Sequence, residues 1–495
     1  MILRTTLRPA RLLARCATRR HLSTRPTPTS KFSVLLDSPQ ASKDKVLLEL
    51  AKHVTSARNA VTGTEDCTAI VASQDYAAWL QDESFMSCLL GLLSVSDEGN
   101  ALSRKLDVLT AVSDGIGSPY GLDDPQKGFS FLSGSRDILP SLWDAESFTG
   151  SREPNQAAAL TFLGNPIEGH SRPLEITLPL ANTIFQNGRR STLFASEWHR
   201  DGDGPMRLGK REFKQSQRIF THNTSMHSTA TIPLMPLAPP RKIVTGLGNI
   251  VRQVEIDGAP APASKELEAL IPQLFETRGA AGISPPSGPI GVWAWVIPPH
   301  VVEAEELSEV ACFSGGSIAN EADAALDMST RADRMLAAGC RLHRILSGGG
   351  GWGAKQGLLS LDPETSYAQP EQNDIDAFVK AFEERNSAEP SSGLVSPGSY
   401  VLFCVEPYLT TEQKRSLKLP PILSLGVSPH AEDTQHSLSE GPGKIRILDG
   451  YMGIQSAAGL FVKALPEVDG RGTGKAASLT TRINVPRSFL VPGIV

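Results

Sequence analysis

Residues Gly246 to Ala261 read G-L-G-N-I-V-R-Q-V-E-I-D-G-A-P-A. Ile243-Val244 leads into a glycine turn at Gly246-Leu247-Gly248-Asn249, and Ile250–Ile256 then continues as a strand. Asp257-Gly258 is a turn signal. Past it, Ser264 stands at an N-cap position, with Glu266 and Glu268 where a helix macrodipole favours anions. Leu267, Leu270, Ile271, Leu274 and Phe275 supply the helix's apolar side, and Pro272 is expected to kink or divide it. Strand, turn, strand, turn and capped helix form one supersecondary unit, and that unit sets the class expected of the chain.

Upstream, Lys43–Arg58 reads as a helix, Thr68–Ser73 (TAIVAS) as a strand, residues 75–93 as helical, and Leu106–Ser113 (LDVLTAVS) as a strand ending in Asp114-Gly115. Short strands are expected at Phe129–Ser133, Ala157–Leu163, Leu174–Pro179 and Ser191–Ser196, and a polar exposed loop at 200–218. Thr231–Pro240 holds four prolines in ten residues, which favours extended backbone and marks a boundary. Downstream, GVWAWVI (291–297) and a segment ending near Phe313 read as strands, and Ile318–Leu346 as a helix. The stripe of that helix is Ile318, Ala322, Ala325, Ala332, Leu336, Gly339 and Leu346, with Ser329 and His343 as its polar members. Residues 386–398 read as a loop, SYVLFCVEPY and PPILSLGVS as strands, and 428–444 and 466–475 as mobile loops. The fold expected is α/β or α+β, with mixed sheets flanked by helices. Its divisions are a linker at 23–42, an α/β domain at 43–235, a second α/β unit at 241–385 and a stranded C-terminal extension at 399–495.

With 40% hydrophobic and 20% charged residues, the 495-residue chain has material for a sizeable core and is no disordered tail. No apolar run approaches the length of a membrane-spanning helix, so no integral membrane segment is expected. The net charge of −5 is unevenly spread. Arg4, Arg8, Arg11, Arg15, Arg19, Arg20, Arg25 and Lys31 all precede the first acid, Asp37, among Leu, Ser and Thr. An Arg-rich, Ser-rich, acid-poor start has the character of a mitochondrial transit peptide and lacks the continuous apolar core of a secretory signal. Arg20-His21-Leu22-Ser23 matches a matrix-processing pattern, with cleavage expected between Leu22 and Ser23. Removing residues 1–22 takes away six arginines and no acid, shifting the balance to −11. A body of that charge argues against nucleic acid as a partner. The five cysteines left, Cys67, Cys88, Cys312, Cys340 and Cys404, form no CxxC pair, so buried thiols in a reducing compartment are expected.

The Gly246–Ala261 stretch resembles the second half of the FIST sensory domain, which carries G-N-x-(apolar) and then (apolar)-D-G-x-P-A before a helix. The strand–helix–strand order around TAIVAS and LDVLTAVSDG resembles its first half. The specific likeness covers sixteen residues, and the arrangement suits roughly residues 60–380. An insertion, GIGSPYGLDDPQKG, and long polar loops depart from the family's glycine-rich strand ends. The resemblance implies a module that binds a small ligand in a signalling protein. A common hairpin-plus-helix unit is the plainer alternative.

Two glycine clusters are candidate ligand sites. Gly315, Gly316 and Ser317 lie between an expected strand and helix, where free backbone N–H groups favour an anion. Glu321 and Asp323 can instead satisfy that helix end, leaving a tight turn capped by Ser317. Gly349, Gly350 and Gly351, with Trp352 and Lys355, form SGGGGWG and a nearby cation. The spacing is not that of a phosphate loop, which needs adjacent Gly-Lys followed by Ser or Thr. An anion nest lidded by Trp352, with Arg344 close, and a flexible helix-ending loop both suit it. No catalytic template is present: there is no G-x-S-x-G and no H-E-x-x-H. His222 and His227, five apart, do not suit helical metal spacing, and His199, Asp201 and Asp203 read as a solvated loop. Arg136 and Asp137 suit a pocket or a surface salt bridge equally.

These features point to a mitochondrial matrix protein that binds a small ligand, engages a protein partner and carries out no catalysis itself. No motif names a cofactor. An enzyme acting on a small anionic metabolite and an assembly scaffold are the alternatives.

Overall fold

The computed structural model describes residues 29–37, 41–57, 66–93, 104–119, 124–144, 157–164, 173–202, 204–220, 227–283, 290–303, 320–348, 357–367, 395–410, 412–413, 423–429, 444–464 and 480–493. The chain begins with β1 (Ser30–Leu36), α1 (Lys43–Ala57), β2 (Cys67–Ser73), α2 (Glu83–Leu93), β3 (Arg104–Ser113) and β4 (Gly128–Gly134). Next come β5 (Ala159–Gly164), β6 (Leu174–Pro179), α3 (Ile184–Asn187), β7 (Leu193–Arg200), β8 (Arg207–Phe213), β9 (Ser216–Phe220), β10 (Thr229–Thr231) and β11 (Met235–Pro236). The middle holds β12 (Arg241–Leu247), β13 (Ile250–Ile256), β14 (Ala259–Pro262), α4 (Lys265–Ala280), β15 (Val292–Ile297), α5 (Pro299–Glu303), α6 (Glu321–Ala337), β16 (Arg341–Gly348) and β17 (Leu359–Leu361). The last strands are β18 (Tyr400–Val405), β19 (Leu423–Val427), β20 (Ile445–Asp449), β21 (Met452–Ser456), β22 (Leu460–Ala464), β23 (Thr480–Ile483) and β24 (Phe489–Val491). The class is mixed α and β, as expected.

A seven-stranded sheet in the order β20-β1-β4-β2-β3-β7-β8 anchors the first half. Both faces of its central strands are covered, which explains why TAIVAS is continuously apolar. Ile70 and Ala72 join Val46 and Leu50 of α1 and Phe85, Met86 and Leu89 of α2 in one core. Ala69 and Val71 point the other way, against Leu160 and Ile176 of a five-stranded sheet, β23-β22-β6-β5-β9. Leu425 and Ile454 of a four-stranded sheet, β10-β24-β19-β21, share that second core.

The quoted stretch folds as read. Leu247 pairs with Ile250 across Gly248-Asn249, where Gly248 takes φ +61. Ile256 pairs with Ala259 across Asp257 (φ 52) and Gly258 (φ 77), the left-handed pair that a two-residue hairpin needs. Ser264 makes no side-chain cap bond; its hydroxyl donates to Glu268 at 2.6 Å instead. Leu267 and Leu274 are buried, and α4 passes through Pro272 as one element, undivided.

Elsewhere the structure redraws boundaries. The long helix expected over Ile318–Leu346 stops at Ala337, because Gly339 takes φ +88. Cys340 N–H then bonds Met335 O at 2.9 Å and Gly339 N–H bonds Leu336 O at 3.1 Å, a Schellman closure. Leu342, His343 and Leu346 therefore belong to β16, and the glycine run that follows leaves a strand and not a helix. The loop expected at 200–218 contains β8 and β9; β8 is an edge strand, and its polar, exposed side chains suit an edge. The linker expected at 23–42 contains β1, which lies between β4 and β20. The proline-rich 231–240 stretch is extended, but Ile232, Leu234, Met235 and Leu237 are buried. Finally, the strands of 399–495 are no appendage. β18, β20, β22 and β24 sit in four different sheets, so their apolar faces are buried against partners far away in the chain. The mobile loops expected at 428–444 and 466–475 lie mostly or wholly outside the described residues. Among the described residues no helix is long and apolar enough to cross a membrane.

Candidate functional site

None of the sequence-expected site residues can be placed. Gly315, Gly316 and Ser317 belong to the connection between α5 and α6, and Gly349, Gly350, Gly351, Trp352 and Lys355 to that between β16 and β17. Both connections lie outside the described residues, as do Arg20, Leu22 and Ser23.

Around those connections the described strands form a small barrel. β18, β12, β13, β17, β16 and β15 close into a ring, each paired with the next and β15 returning to β18. Alternation along β15 sorts its side chains. Trp293, Trp295 and Ile297 point outward into the core shared with α6, whereas Ala294 and Val296 point inward. Val401, Phe403 and Val405 of β18, Ile243 of β12, Val251 and Val254 of β13 and Leu359 and Leu361 of β17 fill the same inner cluster. Leu267 and Leu274 bring α4 onto it.

Into this apolar interior β16 sends two basic side chains. Arg341 pairs with Val296, and His343 with Ala294, so both stand on the inward face. Cross-strand register extends the first pair into a row, Arg341–Val296–Val401–Arg241. The row's two arginines differ in their partners. Arg241 Nε donates to Glu266 Oε1 at 2.9 Å and to Oε2 at 3.1 Å, a pairing that raises its pKa. Arg341 has no hydrogen bond or ion pair among the described residues, and burial works against its charge, lowering its pKa.

His343 is 2% exposed. Its Nδ1 lies 2.9 Å from the Asp362 carbonyl oxygen, an acceptor only, so Nδ1 carries the proton and donates. Its Nε2 is buried with no partner among the described residues. Burial, and then the nearby Arg341 charge, hold the imidazole below its ordinary pKa, opposed by the Asp362 bond. The Asp362 carboxylate is committed to Arg482 Nη1 at 3.3 Å, and Arg482 also pairs with Glu364. Among the described residues, Glu266, Asp362 and Glu364 are thus engaged by other arginines, and none of them pairs with Arg341.

Six strands enclose less room than the eight whose interior side chains just fill, so the middle of this barrel has no space for a ligand. A ligand would sit at the rim, where Arg341 is half-buried. A cation without a partner among the described residues, beside a buried imidazole and walled by Val296 and Val401, suits a small anion with a short apolar body. Cys340 offers no nucleophile there, since burial pushes its thiol up to about 12.

A second polar convergence lies where two parallel strand pairs end. β2 and β3 run parallel, as do β19 and β21, and their carboxyl ends meet at Asp114. Asp114 accepts from Gln74 Nε2 at 3.1 Å and from Ala457 N–H at 2.8 Å, while its own N–H bonds Gln455 O at 3.1 Å. With both carboxylate oxygens engaged, this is a clasp between sheets and not an open site.

Of the other residues singled out in the sequence, Arg136 Nε pairs with buried Asp107 at 3.1 Å, a salt bridge. His199 Nε2 sits 2.7 Å from Glu197, which also holds Lys105. Sequence reasoning missed Arg341 and placed His343 on a helix. The available signal was Gly339, after which R-L-H-R-I can restart as a strand. No protein-family model matches the chain, and neither curated proteins nor solved structures provide a match.

Proposed function

We propose that this chain is a FIST-like small-ligand-binding protein of the mitochondrial matrix, and that it takes a small organic anion at the barrel rim beside Arg341. The observation that carries the ligand reading is Arg341 itself: a half-buried guanidinium with no carboxylate against it among the described residues, in a row with Val296 and Val401. Burying an unpaired charge is costly, and a carboxylate ligand offsets that cost with paired N–H···O bonds. Support for the FIST likeness remains the sixteen-residue hairpin-and-helix stretch, and support for the matrix remains the acid-free, arginine-rich start. A sensory role follows if the ligand shifts a conformational equilibrium that a protein partner reads.

The test is a thermal-shift screen of the full chain against carboxylates of two to six carbons and inorganic phosphate. Stabilisation by a carboxylate, lost in Arg341→Met, is expected. Uniform failure, or an equal shift in the variant, removes the reading. Residues 1–30 fused to a reporter should direct it to mitochondria, and a cytosolic reporter removes the localisation.

A further inference from the structure

We propose that the anion enters the rim together with one proton, which His343 takes up on Nε2, so that ligand binding is proton-coupled. The inference rests on the anion-binding reading above and concerns how that site is regulated.

The argument is one of tautomer and geometry. Because Nδ1 must donate to the Asp362 carbonyl, a neutral His343 presents a bare lone pair at Nε2. That atom is buried and meets no donor among the described residues. A lone pair facing a carboxylate is repulsive, so in the neutral form His343 opposes the anion that Arg341 attracts. One proton from solvent adds to the Nε2 lone pair. The imidazole then carries an N–H at each nitrogen, and Nε2–H donates to the anion while Nδ1–H keeps its bond to Asp362. The one bond made is Nε2–H and the one broken is the bond that held the proton on a hydronium ion or buffer acid, so charge balances as one cation for one anion.

The surroundings set the direction. On its own strand the charge facing His343 is Arg341, which disfavours a second cation. On β17's continuation it is Asp362, whose carboxylate Arg482 already holds, with Glu364 on the same arginine. β15 and β18 present Ala294 and Phe403 in its row, and Val296 and Val401 in the next, none of them titratable. The acids in the first turn of α4 are Glu266, held by Arg241, and Glu268, which accepts from the Ser264 hydroxyl. Without ligand these surroundings keep His343 neutral, and the bound anion is the one new charge that reverses the balance. Linkage then requires affinity to rise as pH falls, by about tenfold per unit where the free imidazole is neutral and the liganded one charged. A matrix protein of this design would read an acid as its anion and proton together.

The experiment uses the full chain with butyrate as the probe, by titration calorimetry at pH 6, 7 and 8, and at one pH in PIPES and in Tris. Expected are a dissociation constant tightening about tenfold from pH 8 to pH 7, and enthalpies in the two buffers that differ, for one proton taken up, by the difference between the ionisation heats of PIPES and Tris. His343→Gln, whose amide N–H needs no proton, should bind with the same affinity at all three pH values. Wild-type binding with one affinity at every pH and one enthalpy in both buffers overturns the proton coupling and leaves anion binding standing. Absence of binding, or equal binding by Arg341→Met, overturns the site itself and the coupling with it.

Discussion

Replacing an arginine by methionine should act in opposite directions at two places in this fold, and the contrast separates a binding residue from a structural one. Arg278 and Glu321 form the structural case, each side chain 9% exposed. Arg278 Nε donates to Glu321 Oε1 at 2.8 Å, and an Nη2 hydrogen to Oε2 at 2.7 Å and to the Glu406 carbonyl at 2.9 Å. The bonds tie the end of α4 to the start of α6 and the segment after β18. Arg278→Met would leave the Glu321 carboxylate buried with the Tyr408 N–H, at 2.7 Å, as its remaining partner among the described residues. Breaking a buried pair from one side costs about 3–5 kcal/mol. Arg341→Met removes no bond among the described residues, keeps an apolar stem against Val296 and relieves a desolvated charge. It should stabilise the ligand-free protein by about 0.5–2 kcal/mol, as substitutions that sacrifice function for stability do. The two variants should therefore lie at least about 3.5 kcal/mol apart in urea unfolding at pH 7. Butyrate should raise the wild-type midpoint, by an amount set by its concentration relative to the dissociation constant, and leave Arg341→Met unmoved. A loss of more than about 1 kcal/mol in ligand-free Arg341→Met would show that Arg341 is held in place for stability, and would refute the reasoning.

Two further outcomes are expected. Gly128 sits at φ +142 on β4, where an added Cβ would meet the Val34 carbonyl oxygen at 1.9 Å, so Gly128→Ala should cost about 3 kcal/mol or more and lower the soluble yield; an unchanged urea midpoint would refute the β1–β4 register. Burial raises the Asp114 carboxyl above the usual range, so the folded state holds that proton more tightly than the unfolded chain. Its share of stability is complete below the unfolded pKa and is lost as pH rises through the folded one, so wild type should gain on Asp114→Asn between pH 7 and pH 4 in paired urea curves, and a flat difference would count against it.

Much of the architecture was legible from local chemistry. Asp257-Gly258 favours a tight hairpin, and the spacing of Leu267 and Leu274 is a helical period set by neighbours within the same segment. TAIVAS read as a strand, and the structure covers it on both faces, with α1 on one side and a sheet on the other. What escaped was set by competition over distance. The stripe from Ile318 to Leu346 satisfies a helical period, yet Gly339 ends the helix and the pairing of Leu342 with Trp295 claims the rest for the barrel. The strands after 399 looked like a separate unit because nothing local reveals a partner. β20 finds β1, more than four hundred residues earlier in the chain.

By itself, then, the sequence determined the turns, the periodicities and the lopsided charge of its first thirty-odd residues, since these depend on dihedral preferences and on neighbours a few positions away. The candidate site was decided by tertiary structure alone. Whether an arginine on a strand faces a barrel interior depends on how the ring closes. Whether it is paired depends on where the carboxylates go, and here Glu266 goes to Arg241 and Asp362 to Arg482. Among the described residues Arg341 is left over from that through-space competition, and no local pattern in R-L-H-R-I records the outcome.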